Sequence, residues 1–106
     1  MTFDVVVLTR ANLELTSIVN WIAERSTDGA IEWLDVFESA KHSLEKNPLA
    51  FGFALENEFV DLEIRQILFG TRRGSRYRAV YHVDGNKVRI LHVRGPGQPP
   101  LSAKDF

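Results

Sequence analysis

The chain contains no cysteine, which excludes disulfides, thiolate zinc sites and cysteine nucleophiles. It has no apolar run near the roughly 20 residues needed to cross a bilayer. Residues 1–9 lack the basic start and long apolar stretch of a secretory signal. A cytoplasmic protein with no membrane partner is the expectation. The histidines, His42, His82 and His92, stand alone without the spacing of a metal site. The glycines at 70, 74, 95 and 97 precede no helix whose N-terminus could cradle a phosphate. No Ser-His-Asp arrangement can be assembled, and no segment repeats. Neither metal nor cofactor is expected.

What is present suffices for one ordinary core. The 106 residues, 44% hydrophobic and 25% charged, suit a single domain over residues 1–106 that needs no staples. The formal net charge of −1 conceals a split. Residues 1–63 hold 4 Lys and Arg against 12 Asp and Glu, a balance of −8; residues 64–106 hold 9 against 2, a balance of +7. That asymmetry fits an acidic or nucleic-acid partner for the basic half. It fits equally a fold in which the halves neutralise each other.

Patterning gives the elements. The β-branched run at residues 3–8 reads as a first, well-buried strand. Thr9 or Asn12 offers a helix N-cap, after which Leu15, Ile18, Val19 and Ile22 fall at helical spacing, with Leu13 and Trp21 placed to widen the stripe. Turn residues at 26–29 end that helix. A second helix over residues 29–46 carries Ala30, Trp33, Leu34, Phe37, Ala40 and Leu44 on one side, and Asn47-Pro48 stops it. Two helices joined by a three-residue connection form an antiparallel hairpin. Residues 49–61 read as an irregular crossover carrying phenylalanines to the core edge. Strands follow at 64–69, 76–83 and 87–94, the last two joined by a turn centred on Asp84-Gly85 or Gly85-Asn86. Alternation puts Tyr77, Ala79, Tyr81, Val83, Val88, Ile90 and His92 toward the helices, and Arg78, Val80, His82, Arg89, Leu91 and Val93 on the other face. The Gly95–Pro100 segment cannot continue a strand and is expected to cross the surface in an extended form. The expected fold is α/β (α+β), a helical hairpin packed on a small antiparallel sheet, in the order strand, helix, helix, strand, strand, strand.

The densest chemistry lies at residues 72–94. Arg78, Arg89 and His82 share one predicted sheet face, with Arg72, Arg73 and Arg76 at its rim. Guanidinium groups offer forked donors for phosphate and stay charged at any working pH. Such a face could bind a phosphodiester backbone or neutralise charge developing on an attacked RNA phosphate; it could also be a solvated or partner-covered basic surface. His82, on the open face, is placed to titrate near neutrality. His92, facing the helices, reads first as a satisfied core histidine and second as a general base. His42, mid-helix, reads as exposed.

The run Glu63-Ile64-Arg65, Gly70, Arg76-Tyr77-Arg78-Ala79-Val80-Tyr81-His82-Val83-Asp84-Gly85 and Leu91-His92-Val93-Arg94 resembles the RelE/ParE superfamily, the toxins of bacterial type II toxin–antitoxin modules often described as plasmid stabilisation proteins. The resemblance spans nearly the whole chain. It implies a toxin that inhibits growth until a cognate antitoxin wraps it and covers its basic face, alone or within a homodimer or hetero-oligomer. It also implies one of two targets. RelE-like members cut mRNA in the ribosomal A site without metal, and ParE-like members poison DNA gyrase. By resemblance Arg78 matches the strand arginine that holds the scissile phosphate in the nucleases, and Arg94 a second basic residue. His82 and His92 are the remaining candidates for proton transfer. The nucleases usually carry further basic residues and often a tyrosine just after this point, where this chain has Gly95-Pro96-Gly97. That departure tilts the expectation toward the ParE-like branch. A third alternative is a non-toxic module that only binds antitoxin.

Overall fold

A computed structural model describes residues 2–106. The elements are β1 (Asp4–Val7), α1 (Thr9–Ala23), α2 (Thr27–Lys46), β2 (Ile64–Phe69), β3 (Tyr77–Asp84) and β4 (Lys87–Arg94), with short 3-10 turns at Pro48–Ala50, Leu55–Phe59 and Ala103–Asp105. The expected order of elements holds. The hydroxyl of Ser26 caps α2 by accepting from the Gly29 N–H at 3.0 Å, so that helix starts two residues earlier than expected. Neither Thr9 nor Asn12 caps α1. Leu8 takes that position without a side-chain bond, and Thr9 and Asn12 lie inside the helix.

The sheet order is β1-β4-β3-β2. It is mixed rather than antiparallel, because β1 runs parallel to β4 in the register Asp4↔Lys87 to Val7↔Ile90. The helical hairpin carries the chain from β1 to the far edge, and the β2-β3-β4 meander returns it beside β1. An edge position explains why β1 alternates between exposed and half-buried residues instead of being well buried. At the other end of the meander, Gly85 at φ +61 with Asn86 at negative φ places the β3–β4 turn on Gly85-Asn86.

The hairpin stripe packs as expected. Trp33, Phe37, Ala40 and Leu44 are buried against Ile67, Phe69, Ala79, Tyr81, Val88 and Ile90, with Leu15, Ile18, Val19, Ile22 and Leu34 half-buried around them; Ala30 is buried as well. Leu13 and Trp21 do not widen the stripe; they are 64% and 54% exposed. The Tyr81 hydroxyl donates to the Pro48 carbonyl, and burial pushes its pKa up to about 12. That bond ties the α2 exit to the centre of the sheet.

The second sheet face is also covered. Ala54, Ile64, Val80 and Leu101 form a smaller core there, joined by Val60, Leu91 and Phe106. Residues 54–60 and the C-terminal segment therefore make a third layer. The Gly95–Pro100 stretch turns, with Gly97 at φ +79, instead of crossing the surface extended. Phe51 reaches the core edge, but Phe53 and Phe59 remain largely exposed.

One irregularity decides the site. Val80 pairs with His92 while Tyr81 pairs with Ile90, so Leu91 is an extra residue in β4. The bulge reverses facing beyond Ile90. His92 joins Val80 on the second face, and Val93 turns in toward the helices, the opposite of simple alternation.

Candidate functional site

Arg78 and Arg94 are cross-strand partners on the second face, and both line a cleft of about 270 Å³ with Leu55, Phe59, Pro99 and Leu101. Two adjacent guanidinium groups would suit a phosphate. The fold answers them with its own acids. The 3-10 turn Leu55–Phe59 lays Glu56 over β3, where the carboxylate takes Arg78 Nη1 at 2.7 Å and Nη2 at 2.5 Å in a two-pronged pair. Gln66 Oε1 accepts a third bond from Arg78 at 3.0 Å. Glu56 is only 3% exposed, and the Arg78 bonds hold its pKa below the usual carboxylate value despite burial. Arg78 is thus a tied, neutralised cation in this fold.

Arg94 is held similarly. Its Nη1 lies 3.7 Å from Glu14 of α1, and its Nη2 donates to the Pro99 carbonyl. Glu14 also accepts the backbone N–H of Val93 at 3.0 Å, capping the edge of β4 beyond the reach of β1. The same carboxylate lies 3.2 Å from His92 Nδ1, while His92 Nε2 faces the Asp105 carbonyl at 2.8 Å. Burial works against charge on His92, but these two bonds outweigh it and raise its pKa. For Glu14 the His92 and Val93 bonds likewise outweigh burial and lower its pKa. At 2% exposure, with both ring nitrogens engaged, His92 has no lone pair left for a substrate. His92 is thus a buried histidine bonded within the fold, on the face opposite to that expected.

His82 bonds through Nδ1 to the Glu63 carbonyl at 2.8 Å, leaving Nε2 toward solvent. Its cross-strand neighbour Arg89 bonds to Asp84 at 2.8 Å, so Arg89 is partnered as well. His42 is exposed, 3.8 Å from Glu45. Among the described residues, no three His, Asp or Glu side chains gather closely enough to hold a metal, and no helix is long and apolar enough to cross a membrane.

The β2–β3 connection presents the opposite picture. Arg72, Arg73 and Arg76 are exposed and have no ion pair among the described residues. Arg72 and Arg73 line an open cleft of about 510 Å³ with Thr71, Gly74 and Glu32 of α2; Arg72 and Arg76 line a second, of about 520 Å³, against Ser39 and Ser43 of α2. A Cβ on Gly74 would sit 2.2 Å from the Thr71 hydroxyl oxygen, and one on Gly70 would sit 2.7 Å from the Ser75 carbonyl. The loop is therefore tightly folded, and Arg72 shares one cleft with Arg73 and another with Arg76.

The structure brings together Arg78 with Arg94, and separately Arg72 with Arg73 and Arg76. Sequence reasoning missed Glu56, Glu14, Gln66 and Asp105. Glu56 sits in an acidic, aperiodic stretch, and nothing local marks it as the partner of a residue 22 positions on. Glu14 falls at i−4 from Ile18, beside the apolar stripe, which is the one available hint. Protein-family models give no match to this chain, and no curated protein matches it.

Proposed function

We propose that the chain is the toxin of a bacterial type II toxin–antitoxin module, RelE/ParE-like in kind, which acts by binding its target rather than by cleaving RNA. The observation that carries this reading is the contrast between its arginines. Those at strand positions, Arg78 and Arg94, are neutralised by Glu56 and Glu14, whereas Arg72, Arg73 and Arg76 stand free on a folded loop. A nuclease needs a cation, and a proton-transfer group, available at the phosphate. His92 is fully engaged within the fold, and His82, held through Nδ1 by the Glu63 carbonyl, does not line the cleft that holds Arg78 and Arg94. A free basic loop instead suits electrostatic docking to an acidic surface or to DNA held by a target such as gyrase. A cognate antitoxin would then be acidic where it meets this loop.

The runner-up is a ribosome-dependent mRNA endoribonuclease. Its one supporting observation is that Arg78 and Arg94 line a common cleft, where an RNA phosphate could replace Glu56. Induced expression in a bacterial host, read by growth, by a gyrase supercoiling assay and by mRNA integrity, separates the readings. Growth arrest with altered supercoiling and intact mRNA is expected, and Arg72→Ala with Arg73→Ala and Arg76→Ala should relieve it. Cleaved mRNA would install the nuclease reading. Unaffected growth, in a chain that still binds an antitoxin peptide, would leave a non-toxic binding module.

A further inference from the structure

We infer that residues 99–106 form a strap over the second sheet face, latched by doubly protonated His92, and that loss of the His92 proton releases the strap and opens the cleft between Arg78 and Arg94. The inference does not depend on what the cleft binds.

The geometry is one of obligatory donors. His92 Nδ1 faces only the Glu14 carboxylate, and Nε2 faces only a backbone carbonyl, that of Asp105. Both partners are acceptors, so both ring nitrogens must carry hydrogen. A neutral imidazole supplies one N–H and must leave one buried acceptor unpaired. Glu14 is held by Val93 and Arg94 whatever the state of His92. The Asp105 carbonyl has no such second hold, so it is the bond given up.

That carbonyl belongs to the strap. Ser102 and Asp105 close a capping box in which the Asp105 carboxylate accepts the Ser102 N–H at 2.7 Å. The remaining attachments are the Phe106 ring, edge-on to His92 with centroids 5.0 Å apart, the exposed Arg10–Asp105 pair at 3.2 Å, the Pro99 carbonyl on Arg94, the Leu101 backbone N–H on the Glu56 carboxylate, and the Leu101 side chain buried against Ala54, Ile64 and Val80. One aliphatic side chain, one ring, one exposed ion pair and two hydrogen bonds hold the strap, and the latch sits among them. The charged groups around His92 are Glu14 and Arg10 from α1, Arg94 from β4 and Asp105 from the strap itself. The Glu14 and Asp105 bonds raise the His92 pKa above its ordinary value of 6.5, against burial and Arg10. Release therefore comes on the alkaline side. Because one proton is linked, the open population rises by up to about tenfold per pH unit between the open-state and closed-state pKa values, then levels off.

The test is a pH titration of the full chain by NMR. It follows the His92 ring nitrogens together with the Leu101 methyl and Phe106 ring signals. The strap signals should move toward free-peptide positions with the same midpoint as His92, while Tyr81 and Trp33 in the helix-side core stay unchanged. Glu14→Gln removes the carboxylate and should move both midpoints to lower pH together. Strap signals that hold still through the His92 titration, or that shift with a different midpoint, would overturn the inference. A mono-protonated His92 ring at about pH 6 would overturn it too. Should Glu14→Gln fail to fold, the co-titration in the unaltered chain decides alone.

Discussion

At the scale of single residues, the Arg78–Glu56 pair shows why a cation in a strand cannot be assigned a task from its position alone. The Glu56 side chain is 4% exposed and that of Arg78 17%, so each charge is held there chiefly by the other, with Gln66 a further acceptor for Arg78. Removing one partner of such a pair leaves a buried charge uncompensated and costs about 3–5 kcal/mol. Glu56→Ala and Arg78→Ala are each expected to lower the unfolding free energy by that order, read from urea titration. The double variant should be less destabilised than the sum, by about 0.5–3 kcal/mol of coupling. Glu56→Leu combined with Arg78→Met should recover much of the loss, since a buried ion pair adds little over an apolar pair of similar volume. A strictly additive double variant would show that the two residues do not support one another. This bears on function directly, because lost toxicity in Arg78→Ala is evidence for catalysis only if the variant is still folded.

At the scale of elements, local chemistry was legible and its exceptions were not. Ser26 caps α2 through the Gly29 N–H, and Ser26→Ala should cost about 1 kcal/mol, read from thermal or urea unfolding. An unchanged midpoint would mean that the cap is redundant with the packing of Trp33 and Phe37. The helical stripes, the Asn47-Pro48 stop and the Gly85-Asn86 turn could all be read because each depends on neighbours within a few positions. The bulge at Leu91 could not, since nothing in the β-branched run of β4 distinguishes one register from the next. Yet that single extra residue moves His92 to the opposite face and sets Val93 into the helix-side core. The parallel pairing of β1 was hidden for a related reason, as a short apolar strand carries no mark of its direction. In the β2–β3 loop, the exposed Arg72, Arg73 and Arg76 make no ion pair among the described residues, so each change to Ala should alter stability by no more than about 0.5 kcal/mol. A larger loss would show these arginines to be structural and would remove them from the proposed docking surface.

At the scale of the whole molecule, the division of charge along the chain is in part neutralised within the fold. Glu56–Arg78, Glu14–Arg94, Glu63–Arg65 and Arg10–Asp105 all join residues from the acidic half to residues from the basic half. The loop arginines stay outside this neutralisation. Because Glu14 and His92 tie α1 to β4 and to the C-terminal segment, their titration should shape the stability of the entire fold. His92, with its pKa raised from 6.5, contributes in full below that value and loses its contribution as pH rises through the folded pKa. Glu14, with its pKa lowered from 4.5, contributes in full above that value and loses its contribution as pH falls through its folded pKa. Glu56, lowered by Arg78, steepens the acid side. The urea midpoint should therefore be highest between about pH 4.5 and 6.5 and decline on both sides. His92→Gln should flatten the alkaline decline and leave the acid one in place. An alkaline limb that persists in His92→Gln would assign it to another group and detach the His92 network from the stability of the sheet.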